Sequence, residues 1–90
     1  MRLTDYCDAL NITLIVRYYP NQDNRWCAYF EDCEIKGPST LTSAHGNGSL
    51  PSLAIRDYIE GLLGKTIVFN AMGGVARREF VFPKAITVNV

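Results

Sequence analysis

Ninety residues, 48% hydrophobic and 20% charged, describe one small globular domain and exclude a disordered or low-complexity chain. Nine basic and nine acidic residues cancel, which argues against a dedicated DNA or RNA binder, whose affinity rests on an excess of Lys and Arg facing phosphates. The early apolar run ITLIV is too short to cross a bilayer and nothing reads as a secretory signal. The odd number of cysteines, Cys7, Cys27 and Cys33, therefore points to free thiols in a reducing cytoplasm.

The segment LTDYCDALN predicts a short opening helix. Thr4 suits the N-cap, Asp5 sits where the helix dipole favours a negative charge, and Asn11 suits the stop. Leu3, Tyr6, Cys7 and Leu10 form its inner face. ITLIVRYY follows as a strand with apolar residues at both alternating sets of positions, the pattern of a central strand or one partly covered on both faces. PNQDN is a loop signal, and RWCAYFE is a second strand with Trp26, Ala28 and Phe30 on one face. The two strands form an antiparallel hairpin.

DCEIKGP breaks the pattern at Gly37 and Pro38, and STLTSAH predicts a polar third strand ending at Gly46. Residues 46–48, Gly-Asn-Gly, then read as a turn in which small residues tolerate positive φ, so that a strand can swing into a helix. PSLAIRDYIEGLLG is that helix. Ala54, Ile55, Tyr58, Ile59, Leu62 and Leu63 recur at helical spacing, Pro51 fits the first helical position and Gly64 the C′ position. Gly61 inside it suggests close packing. KTIVFN and RREFVFP are further strands, and AITVNV is a sixth strand or an extended tail. The expected class is α+β: a mostly antiparallel sheet of four to six strands with one main helix packed on it, in the order α-β-β-β-α-β-β.

The glycine-rich stretch HGNGSLPS fails as a phosphate loop, because no lysine follows Gly48. It fails as a dinucleotide fingerprint, because Pro51 stands where the third glycine belongs. Helix N–H groups near Leu53 and Ala54 leave a weaker anion option, with Ser49 or Ser52 as helix cap or ligand contact. His45, the one histidine, has no Cys or carboxylate partner at metal-ligand spacing, and neither a nucleophile with its base nor a paired carboxylate motif is evident. No enzymatic activity, cofactor or metal is expected. Arg17, Tyr19, Arg25 and Trp26 place guanidinium and aromatic groups on paired strands, which can stack a base but also build a plain sheet. Arg77 and Arg78 precede an apolar strand as an edge guard or as a contact for an acidic partner.

The pattern of Trp26, Ala28 and Phe30, then Gly46, Gly48 and Pro51, then Ala54, Ile55, Tyr58 and Ile59, resembles the HicB-like fold of antitoxins over roughly residues 12–70. LTDYCDALNI and the middle segment also look like small accessory proteins of Gram-positive phages and prophages. The resemblance implies three antiparallel strands, one helix and a following strand. HicB antitoxins usually carry an operator-binding module after this fold; residues 71–90 are too short for one. Leu50 and Leu53 stand where that helix start usually offers Thr and Glu, so Leu53 is expected to be exposed. The resulting expectation is a non-enzymatic binding protein that inhibits or sequesters a host or defence protein. Its contact residues would come from Arg17, Tyr19, Arg25, Trp26, His45, Asn47, Ser49, Leu53, Arg77 and Arg78. Two alternatives remain: an oligomeric sponge for a nucleotide signal, and a structural or replication accessory. Small exposed sheets also pair at their edges, so a homodimer is a further expectation.

Overall fold

A computed structural model describes all residues, 1–90. Helix α1 (Leu3–Leu10) leads into strands β1 (Leu14–Tyr18), β2 (Trp26–Phe30), β3 (Cys33–Lys36), β4 (Leu41–Thr42) and β5 (Gly46–Gly48). Helix α2 (Pro51–Leu62), strand β6 (Thr66–Phe69), a 3-10 turn (Gly74–Ala76) and strand β7 (Arg78–Val81) complete the chain. The fold is α+β and every strand pairing is antiparallel. The strands form two sheets rather than the one expected, in the orders β1-β2-β5 and β4-β3-β6-β7.

The division arises because the chain changes sheet twice. After Phe30 a tight turn at Glu31 and Asp32, the latter at φ 60, sends β3 into the second sheet. After β4, residues 43–45 return the chain to the first. The segment CEIK, expected to be irregular, is therefore a strand, and the expected strand over 39–45 shrinks to Leu41–Thr42. Gly37 does turn: its N–H donates to the Thr40 carbonyl at 2.8 Å.

The Gly-Asn-Gly stretch is not a turn. It is strand β5, paired with Trp26, Cys27 and Ala28, and neither glycine has positive φ. Its glycines serve contact instead. A Cβ on Gly46 would fall 2.7 Å from Tyr58 Cβ and closer still to the Ala54 carbonyl oxygen and the Tyr58 nitrogen. One on Gly48 would fall 2.6 Å from the Ala54 nitrogen and 2.8 Å from Leu53 Cβ. Helix and strand thus meet backbone to backbone. The inner stripe of α2 (Ala54, Ile55, Tyr58, Ile59, Leu62) is buried as its spacing predicts, each large apolar member contributing about 1.5–3 kcal/mol. Leu63 stays partly exposed, and Gly64 takes the left-handed conformation at φ 73. Nothing lies within 4 Å of a Cβ on Gly61, so no close packing explains that glycine.

Helix α1 starts two residues earlier than the expected cap at Thr4 implies. Arg2, not Thr4, is its N-cap, and Arg2 Nε donates to Asp5 Oδ2 at 3.1 Å; Asn11 ends the helix at φ 53. Tyr6 meets Phe82 edge-on, with ring centroids 5.0 Å apart. Residues 85–90 form no strand; one parallel bridge joins Thr87 to Arg2. No helix is long and apolar enough to cross a membrane.

Candidate functional site

Alternation on β2 sorts the sequence-predicted residues onto two faces. Trp26, Ala28 and Phe30 point toward α2, while Cys27 and Tyr29 point away. Register carries the outer face across the sheet, with Arg17 opposite Cys27 and Cys27 opposite Asn47. The neighbouring Tyr19 hydroxyl and then Tyr29 raise the Arg17 guanidinium further above its already high value.

At the loop end of the hairpin, Tyr18 and Trp26 are direct cross-strand partners with rings edge-on at 5.1 Å. Arg25 Nη1 donates to the Tyr18 hydroxyl at 3.2 Å, and the Arg25 guanidinium stands 5.8 Å from the Tyr18 ring centre. Trp26 pairs with Gly48, over which Leu53 sits, so Leu53 and Trp26 share one face. Leu50 is 56% exposed, Tyr18 48% and Leu53 47%. The exposure expected of Leu53 is therefore present, and it extends to Leu50 and Tyr18. The sequence signal for Tyr18 was its place directly opposite Trp26 in the hairpin.

Where residues 43–45 bring the chain from β4 back to the first sheet, β5 pairs with β2 only as far as Ala28, and an open groove of ≈ 700 Å³ forms. Tyr19, Tyr29, His45 and Asn47 line it with Cys27 and Cys33, and Asp32 and Glu34 add carboxylates. It therefore brings together three of the predicted residues, Tyr19, His45 and Asn47. The histidine and two thiols share this groove although no metal-ligand spacing joins them in the sequence. No group of three or more His, Cys, Asp or Glu is placed to hold a metal ion. Burial pushes the Cys33 thiol up to about 11 and raises Cys27 as well. Both thiols are thus protonated at neutral pH, the opposite of an activated nucleophile.

The remaining predicted residues lie elsewhere. Arg78 is tied into the fold: its Nη1 donates to the Leu10 carbonyl at 2.6 Å, and its guanidinium stands 4.5 Å from the Phe69 ring centre. Arg77 donates to Glu79 at 2.9 Å. Glu79, also bonded to Lys36, is held below the usual carboxylate range by these two partners, Lys36 first. Neither Ser49 nor Ser52 caps α2; Leu50 is the N-cap and makes no side-chain cap bond. Ser49 is exposed between β5 and α2. No protein-family profile, curated protein or solved structure matches the chain.

Proposed function

We propose that the protein is a non-catalytic binding protein that inhibits or sequesters another protein by covering part of its surface. The observation that carries this reading is the face formed by Tyr18, Arg25, Trp26 and Leu53, with Leu50 exposed at the start of α2. Trp, Tyr and Arg dominate the energetics of protein interfaces. Here they are interlocked on a short hairpin before any partner arrives, which lowers the ordering cost of binding. The exposed Leu53 supplies apolar area beside them. The partner class suggested by the likeness to small phage and prophage proteins is a host or defence protein of the bacterial cell.

Capture from bacterial lysate tests this. A specific partner should be retained by the wild-type chain and lost on Leu53→Arg and Trp26→Ala, while Arg77→Ala retains it. Equal retention by all four, or no specific retention by the wild type, would reject the reading.

The groove supports a second reading, a small-ligand site, since its volume falls in the range of ligand pockets. No Lys or Arg lines it, whereas Asp32 and Glu34 do. That lining favours a neutral or cationic ligand with a flat ring for Tyr19 or Tyr29 over a nucleotide signal. A thermal-shift screen separates the two classes: a rise of several degrees with amines but not with nucleotides supports the groove as drawn.

A further inference from the structure

Strand β1 carries the sequence pattern of a strand covered on both sides, yet it lies at the edge of its sheet. The register shows what the edge offers. Glu31 donates to Thr13 and Tyr19 donates to Arg25, while the Phe30 N–H points the other way, to Tyr58. By the two-residue alternation of an antiparallel ladder, Ile15 and Arg17 bond to β2. The N–H and C=O groups of Leu14, Val16 and Tyr18 face outward, and they bond to nothing outside the sheet.

The other three sheet edges are blocked. Strand β4 is two residues long. On β5 the outward N–H of Asn47 is taken by Asp57 Oδ2 at 2.9 Å, and Pro51 follows closely. Strand β7 begins with Arg78 and Glu79, with Arg77 just before, all bound up in ion pairs or capping. Short length, Pro, charge and covering are the usual protections of an edge. Between Leu14 and Val16, β1 has none of them, and these residues are half-buried apolar side chains.

We infer that β1 is a homodimer interface, in which β1 of a second copy pairs antiparallel with it about a two-fold axis at Val16. This inference does not depend on the proposed function. The centre is chosen by chemistry. With Val16 opposite Val16 of the other copy, Leu14 meets Tyr18 and Ile15 meets Arg17, so every outward N–H and C=O group finds a partner. Centring on Arg17 would set two guanidinium groups face to face, an unfavourable pairing. The chain's zero formal net charge leaves no overall repulsion between copies. A symmetric pairing of this kind is closed and ends at two.

Sedimentation over a concentration series tests the inference on the full chain. The wild type should pass from monomer to dimer. Val16→Pro should remain monomeric, because the ring removes an N–H that points outward and breaks no bond to β2. Near-UV circular dichroism checks that this variant folds. A second pair of variants is independent of that check. Ile15→Glu faces Arg17 of the other copy and Ile15→Lys repels it, so the Glu variant should dimerise roughly threefold or more tightly than the Lys variant. Amide exchange at Leu14, Val16 and Tyr18 should slow as concentration rises. A wild type that is monomeric throughout, a folded Val16→Pro that dimerises as well as wild type, or equal dimerisation of the two Ile15 variants would each overturn the inference. A foreign peptide strand that occupies β1 of a strictly monomeric chain would do the same.

Discussion

The buried hydroxyl of Tyr58, on α2, accepts the backbone N–H of Phe30, on β2, at 3.1 Å. Strand β5 stops pairing with β2 at Ala28, so this N–H has no strand partner. A side chain from the helix completes the ladder at the point where the groove opens. Tyr58→Phe keeps the ring, which meets Phe30 edge-on at 5.3 Å, and removes only the acceptor. It should lower unfolding free energy by about 1–3 kcal/mol, the penalty for a buried unsatisfied donor. Urea denaturation of the two proteins measures it; an unchanged midpoint would mean that water replaces the hydroxyl.

The same tyrosine sets an alkaline limit to stability. Burial pushes Tyr58 from 10.0 to about 12 and Cys33 from 9.0 to about 11. Both groups hold their protons more tightly in the folded state, so the stabilisation is complete below the unfolded values. It declines as pH rises from 9.0 through about 11 for the thiol and from 10.0 through about 12 for the phenol. Thermal melts between pH 8 and 12 should show this two-part decline, and Cys33→Ala should shrink the lower part, to which the raised Cys7 and Cys27 thiols also contribute.

Two glycines should respond in opposite directions. Gly46→Ala forces a methyl group into the backbone of α2 and should destabilise by about 3 kcal/mol. Gly61→Ala meets nothing within 4 Å, lies on an exposed helix position, and should stabilise by about 1 kcal/mol. Melting temperatures of the two variants should bracket the wild type. A Gly46→Ala protein as stable as wild type would contradict the backbone-to-backbone approach.

Adjacent arginines should also separate. Arg78→Ala removes a donor to the last turn of α1 and a cation over Phe69, and should cost about 1–2 kcal/mol. Arg77→Ala breaks an exposed ion pair and should cost under about 1 kcal/mol. Chemical denaturation distinguishes them; equal effects would mean that the Arg78 contacts contribute nothing.

Thiol labelling reports on the groove. Cys33 should react with iodoacetamide more slowly than a free thiol at pH 7.5, and faster as pH rises toward 11. A ligand seated between Tyr19 and Tyr29 should shield Cys27, which lines the same wall. Unaltered Cys27 labelling in the presence of a ligand that shifts the melting temperature would place that ligand elsewhere.

Local pattern made the β1–β2 hairpin, the inner stripe of α2, Pro51 and the left-handed Gly64 legible in the sequence, because each depends on residues a few positions apart. The role of Gly46 and Gly48 was not legible. Small residues permit positive φ and close approach alike, and only the position of Ala54 and Tyr58 decides between them. The groove was hidden for a related reason: His45, Cys27 and Cys33 converge because the chain leaves one sheet at Asp32 and rejoins it at Gly46. CEIK carries too few residues to announce a strand until Val68 and Ile67 lie beside it. Arg78 likewise reads as a solvated charge until the end of α1 is brought to it from 68 residues away.

Side chains that interlock can repack, sliding a helix by part of a turn at modest expense. Main chain resting on main chain at Gly46 and Gly48 leaves α2 no such freedom. Leu53 is consequently mounted at a set height and angle beside Trp26, and a visitor to that face meets a stiff plaque rather than one that moulds itself to fit.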